Sequence, residues 1–201
     1  MCGRPLNRKR QNVAFIKSEN PKSPNQGGPL EISNSTILGA AGEHYVMCQL
    51  LRRHMIAALA PVGVPDADII VTNRTLDRPL SIQVKARRDI GADGGWHMKA
   101  KHERMIGDLL FYCFIDFGRS TADHPQCWIL PSAVVANVLS VSHRAWLDKP
   151  GLKGPHKDHD MRRFLPDYKD LAPDHGFGWL EKYSEAWSFI THAYGQSESA
   201  N

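Results

Sequence analysis

The chain has 201 residues, 42% of them hydrophobic and 23% charged, with a formal net charge of +4. That length suits one compact core with extensions, and that balance excludes collagen-like, coiled-coil and wholly disordered chains. No run of about eighteen uncharged apolar residues occurs, and the first thirty residues are polar and basic with no apolar signal core, so membrane spanning and secretion are not expected and a cytoplasmic setting is.

The positive charge is unevenly placed. Residues 1–30 carry six Lys or Arg against Glu19 alone, whereas residues 31–201 carry nineteen against twenty acidic residues. Overall basicity therefore does not imply a folded part coated with positive charge, although a local basic patch is compatible with it. The cysteines, Cys2, Cys48, Cys113 and Cys127, lie far apart with no CxxC pair, the usage of a reducing compartment, and three of them are expected to pack as small apolar residues.

Residues 1–30, rich in Pro, Gly, Asn, Ser and Lys, cannot repay the entropy of ordering and are expected to be a disordered basic tail. Its Arg8-Lys9-Arg10 cluster could touch nucleic-acid phosphate or simply be solvated. A core is expected over residues 31–140, and a loop-rich extension ending in a docked helix over 141–201.

From Asn34-Ser35, residue types that cap helices, apolar recurrence at Leu38, Ala41, Tyr45 and Cys48, with Val46 and Leu50 beside them, predicts a helix of about five turns. A short apolar run, IAALAPV, follows, then two strands, ADIIV and PLSIQVKA, around a turn-rich TNRTLDR. The polar stretch 87–107 allows only a short helix at AKHERMIG. LLFYCFIDF reads as a strand buried on both faces, and QCWIL as its hairpin partner. Pro131-Ser132 opens a second helix through Val134, Val135, Val138 and Leu139. Residues 148–178 read as largely loop, and Leu180, Tyr183, Trp187, Ile190 and Tyr194 step as one terminal helix.

Three polar features share one eighty-residue block: Glu43 on the first helix, Asp68 at the head of ADIIV, and Gln83-Val84-Lys85 in SIQVKA. Strand alternation puts Ser81, Gln83 and Lys85 on one face and Leu80, Ile82, Val84 and Ala86 on the other, and pairing the two strands can bring Asp68 beside Gln83 and Lys85. The helical face of Glu43 continues through Gly39, Val46, Met47 and Leu50, so its carboxylate is desolvated at a cost of several kcal/mol unless it is paired. A hard divalent ion suits such a set: carboxylates from Asp68 and Glu43, a carbonyl oxygen from Gln83, the Val84 backbone oxygen, and waters completing an octahedron around magnesium. Lys85 could then orient or help deprotonate a water, or stabilise negative charge on a phosphate under attack. Asp66 is a competing choice to Asp68, but it follows Pro65 and belongs to the turn.

This order, a helix with Glu, a strand with Asp, then Gln-x-Lys, resembles the PD-(D/E)XK nuclease superfamily, which includes restriction endonucleases and archaeal-type Holliday junction resolvases. The strings GAAGEHYV, ADIIV and SIQVKAR look closest to bacterial members of unassigned role. The resemblance covers about residues 35–135. It implies an α/β fold, a restriction endonuclease-like αβββαβ core with a mixed central sheet flanked by helices, here followed by a C-terminal helical extension.

The resemblance also implies magnesium-dependent hydrolysis of DNA phosphodiester bonds, with manganese as a substitute, and many members cut as homodimers. Carried over by position, Asp68 is the metal aspartate, Gln83 stands at the D/E position, Lys85 is the lysine and Glu43 the additional helix carboxylate. Gln83 departs from the pattern by replacing a carboxylate with a neutral amide, which removes one negative charge from the metal site. The alternative expectation is therefore a catalytically silent relative that binds nucleic acid or docks a partner.

Arg87, Arg88, Lys99 and Lys101, with Trp96 interleaved, could grip phosphates and stack on a splayed base; equally, this stretch reads as a solvated loop with Trp96 folded onto the core. His102 and Glu103 fit an exposed polar helix start better than a metal site. HKDHD at 156–160, taken with His143 or Cys127, matches no zinc-ligand spacing. Asp116 could join a nuclease site or merely end its strand, and Trp128, Trp146, Trp179 and Trp187 read as packing residues. No phosphate-binding glycine loop and no serine or cysteine nucleophile motif is present.

Overall fold

The computed structural model describes residues 34–72, 78–89, 94–152 and 154–196. The basic tail expected over 1–30 lies outside the described residues. In chain order the elements are α1 (Asn34–Arg52), β1 (Ile56–Leu59), β2 (Ile69–Thr72), β3 (Leu80–Arg87), β4 (Trp96–Lys99), a 3-10 turn (Ala100–Glu103), β5 (Leu110–Asp116), β6 (Gln126–Pro131), α2 (Ser132–Asp148) and β7 (Met161–Phe164). Short 3-10 turns at Lys169–Leu171, Pro173–His175 and Glu181–Tyr183 then lead to α3 (Ser188–Gln196).

The protein is α/β, with a five-stranded mixed sheet in the order β1-β2-β3-β5-β6 and a separate antiparallel ribbon of β4 and β7. Within the sheet β3 and β5 run parallel, Val84 opposite Cys113, and the other neighbours are antiparallel. Antiparallel neighbours need only turns, whereas the parallel β3–β5 pair requires a crossover. The expected αβββαβ order places an α-helix in that crossover. Here it is made by β4 and the 3-10 turn instead, and the helix comes after β6.

Alternation along the central strands divides the core between the two sheet faces. Leu80, Ile82 and Val84 of β3 join Phe111, Cys113 and Ile115 of β5 in one cluster with Val46 and Leu50 of α1 and with Trp187 and Ile190. Tyr112 and Phe114 point the other way, into a cluster with Val135, Val138 and Leu139 of α2 and with Trp96, Met98 and Phe164 of the ribbon. Phe114 and Phe164 stack with centroids 3.9 Å apart, seating the ribbon on the sheet.

Helix α1 meets β3 through glycine. A Cβ on Gly42 would lie 2.8 Å from the Ala86 Cβ and 3.2 Å from a Val84 methyl, so only the missing side chain permits this approach. The buried line of α1 is Gly42, Val46 and Leu50, with Tyr45 half-buried, rather than the stripe expected through Ala41 and Cys48, both of which are exposed. Two cysteines, Cys113 and Cys127, do pack in the core as free thiols.

Two other expectations are amended. Residues 148–178 include a strand, β7, which pairs with β4 in the register Trp96↔Phe164 and Met98↔Arg162. The terminal helix begins only at Ser188, because Glu185 adopts φ 48° and Ser184 makes a β-bridge to Trp128, leaving Leu180 and Tyr183 on or beside a 3-10 turn. Among the described residues no helix is long and apolar enough to cross a membrane.

Candidate active site

The backbone ladder between β2 and β3 extends one step beyond β2, with the Asp68 N–H donating to the Ile82 carbonyl at 2.9 Å. At the next position the Asp68 side chain takes over: its Oδ2 accepts the Val84 N–H at 2.7 Å. Asp68 is thereby fixed against the Gln83-Val84-Lys85 segment, while Ile69 and Val71 point into the core, as alternation requires. Asp66, with φ 67°, sits in the preceding turn and pairs with Lys101 at 2.9 Å.

Gln83 and Lys85 lie on one face of β3, and the Lys85 Nζ donates to the Gln83 Oε1 at 3.1 Å. Gln83 is buried and Lys85 half-buried. Burial lowers the Lys85 pKa from its ordinary value; the Asp68 and Glu43 carboxylates oppose that shift and Lys101 adds to it. Glu43, half-buried on α1, is pushed up first by its own desolvation and then by the Asp68 carboxylate, with Lys85 pulling it down. Glu43, Asp68 and Lys85 thus share one electrostatic neighbourhood, to which Gln83 and Val84 are tied by hydrogen bonds.

The resemblance implies a hard dication, for which these residues offer oxygen donors. Two carboxylates, an amide oxygen and a peptide carbonyl are the kinds of oxygen donor that magnesium accepts, and Glu43 is raised first by burial and only then by the Asp68 carboxylate. Among the described residues, no group of three or more His, Cys, Asp or Glu side chains is placed to hold a metal. A site here therefore depends on the Gln83 and Val84 oxygens as well as on the two carboxylates.

Lys85 borders two open clefts. One, of about 610 Å³, is lined by Gln83, Lys85, Lys99, Lys101, His102 and Asp160 among others. The second, of about 670 Å³, is lined by Asn34, Ser35, Lys85, Arg87 and Arg88 with residues of β4. A smaller cavity of about 260 Å³, between α2 and β7 and lined in part by Trp146 and Tyr168, contains none of the five residues above.

The surrounding basic residues divide. Lys99 and Lys101 are exposed beside the first cleft. Arg88 is exposed and donates to the Arg119 carbonyl at 2.6 Å. Arg87 is structural: it pairs with the buried Asp116 at 2.7 Å, and its guanidinium lies 4.1 Å from the Trp96 ring centroid. Of the two expectations for Trp96, a stacking platform for a base or a ring folded onto the core, the second holds: it is only 2% exposed and donates its indole N–H to the Ile115 carbonyl at 3.0 Å. Asp116 ends its strand by accepting the Gly118 N–H at 2.8 Å as well as pairing with Arg87.

His102, read from sequence as exposed, is 3% exposed on the floor of the first cleft, with its Nδ1 2.8 Å from the Tyr112 hydroxyl. Burial, reinforced by Lys85 and Lys101, lowers its pKa to about 4, so the imidazole is neutral at pH 7. Burial likewise raises the Tyr112 hydroxyl, with Asp66 and Asp68 adding to the effect. Glu103 is bound by Arg162, itself buried on β7. The alternation of Trp96 and Met98 with His97 and Lys99 was the signal for this ribbon and its cleft wall. Further along, His143, His156 and His159 pack around Trp146, with His143 Nε2 2.8 Å from Asp158 Oδ1.

No protein-family model matches the sequence, and no curated protein matches it. Among solved structures, the chain is similar to the bacterial homing endonuclease I-Ssp6803I, with a TM-score of 0.50 and 12% identity over 85% of this chain and all of that one. At that identity the likeness is one of fold alone: a mixed five-stranded sheet flanked by helices.

Proposed function

We propose that the protein is a metal-dependent endonuclease of PD-(D/E)XK type that hydrolyses phosphodiester bonds in DNA. The observation that carries this reading is the junction at Val84, whose N–H, in the peptide that follows Gln83, donates to the Asp68 carboxylate, with Glu43 close enough to be repelled by Asp68. Glu43, Asp68, the Gln83 side chain and the Val84 backbone oxygen would hold magnesium or manganese. When bound, the dication supplies Lewis-acid stabilisation of phosphate charge and activation of water.

The chain's own residues supply the rest. Lys85 lines both clefts, and its ammonium would donate to a phosphate oxygen or orient the attacking water. Gln83 holds that ammonium in place through its Oε1. Partial burial strengthens each of these interactions relative to water. The fold shared with a homing endonuclease supports DNA as the substrate. Nicking of supercoiled plasmid in magnesium tests the reading: Asp68→Ala and Lys85→Ala should abolish it with the fold intact, and unchanged cleavage by either variant removes these roles.

Gln83 favours a second reading. A neutral amide already engaged by Lys85 gives the site one carboxylate fewer than the family pattern, the arrangement expected of a nuclease-fold module that binds nucleic acid or a partner without cutting. Duplex binding with no cleavage in either magnesium or manganese would select it.

A further inference from the structure

We infer that the β4–β7 ribbon is a reading element that enters the major groove of duplex DNA and thereby sets a phosphodiester beside Lys85; this rests on the nuclease reading for the substrate but not for the contact itself. The ribbon has two distinct faces. Trp96, Met98, Arg162 and Phe164 are buried, whereas His97, Lys99, Met161 and Arg163 are exposed. The register sets His97 opposite Arg163 and Lys99 opposite Met161, so the outer face of the two strands carries two permanent cations, an imidazole and a thioether, with Asp160 at its end beside Met161.

Size and chemistry both select the partner. Two paired strands are about 5 Å apart, and with side chains such a ribbon fills a groove about 12 Å wide, the width of the B-DNA major groove. The A-form major groove of duplex RNA is deep and too narrow to admit it. Lys and Arg suit guanine O6 and N7 or flanking phosphates, and Met161 offers an apolar contact to thymine methyls.

Position supplies the link to chemistry. His97 on the outer face lines both clefts, as Lys85 does, and Lys99 and Met161 line the cleft that holds Gln83 and Lys85. A ribbon lying in the groove therefore has the bordering sugar-phosphate strand over the Lys85 ammonium. Arg162 supports the ribbon from below, its guanidinium held by Glu103 and by the His159 carbonyl.

The test measures binding by fluorescence anisotropy in EDTA, where no metal-dependent cutting occurs, using the full chain and random-sequence duplex DNA, duplex RNA and single-stranded DNA of equal length. Duplex DNA should bind at least tenfold more tightly than duplex RNA. Lys99→Thr/Arg163→Thr, which keeps residues suited to strands, should weaken duplex DNA binding tenfold or more and reduce the slope of log affinity against log salt by about two. A charge-matched control, Arg52→Gln/Arg144→Gln, should leave the slope within about half a unit of the parent. Lys99→Thr alone should lower the slope by about one and serves as the readout if the double variant melts early.

Methylation of guanine N7, which projects into the major groove, should interfere with binding. Equal binding of RNA and DNA duplexes, an unchanged salt slope in the ribbon variants, no duplex binding, or interference confined to minor-groove positions would each overturn the inference. The two readings fail separately. Plasmid nicking that persists with duplex binding indifferent to the ribbon sinks this inference alone, and ribbon-dependent binding without nicking sinks the nuclease reading alone.

Discussion

The Asp68 carboxylate accepts the Val84 backbone N–H at 2.7 Å, so the side chain that closes the β2–β3 ladder is also the one proposed to hold metal. These two roles respond differently to substitution. Asp68→Asn retains an oxygen acceptor for Val84, whereas Asp68→Ala leaves a backbone donor without its partner at a cost of about 1–3 kcal/mol. Plasmid nicking should fall about a hundredfold or more in both variants, because a metal carboxylate contributes several kcal/mol to the transition state. Urea unfolding should show a stability loss in Asp68→Ala that Asp68→Asn largely avoids. Equal stability of the two variants would contradict the ladder role.

Arg87 provides a contrasting case, a cation in the expected DNA-binding stretch whose contacts are internal. Its pair with Asp116 is largely buried, at 15% and 8% side-chain exposure, and Trp96 covers the guanidinium. Removing one member of such a pair strands the other charge, which typically costs about 3–5 kcal/mol. Arg87→Met should therefore lower stability on that scale, and adding Asp116→Asn should restore part of the loss. A thermal-melting double-mutant cycle with no coupling between the two sites would show the pair to be inert.

His102 links the cleft to acid stability. Its folded pKa, about 4, lies below the ordinary histidine value of 6.5. The unfolded chain consequently binds a proton between these values that the native protein refuses. Stability is full above about pH 6.5 and is lost as pH falls toward 4, by an amount on the order of 3 kcal/mol at the lower end. Stability measured against pH for the parent and for His102→Gln should yield a difference that grows from pH 4 to 6.5 and is flat above. Parallel curves would show that His102 titrates normally.

Much of this arrangement was legible in the sequence, for a physical reason. A strand places residues i and i+2 on one face whatever surrounds it, so Gln83 and Lys85 had to point together, and a sheet buried on both faces needed a segment as apolar as LLFYCFIDF. The α1 position of Glu43 followed from helical recurrence, although the exact buried line did not, because Gly42 packs by what it lacks. What escaped depends on partners distant in sequence. Arg162 and Arg163 make β7 read as polar, and only Glu103 and the opposing β4 show why an arginine is buried there. His102 sits in a hydrophilic stretch but folds inward because Tyr112 awaits it, and Trp96, for which both packing and exposure were open, is drawn in by Phe114 and Phe164. The break before α3 comes from a bridge between Ser184 and Trp128, more than fifty residues apart in the chain.

One dication held among Glu43, Asp68, Gln83 and Val84 underlies the proposed chemistry, and calorimetric titration of the full chain with manganese tests it most directly. It predicts a single saturable site per chain that disappears in Asp68→Asn while the variant remains folded. Absence of any saturable site, or an identical isotherm in Asp68→Asn, would contradict it.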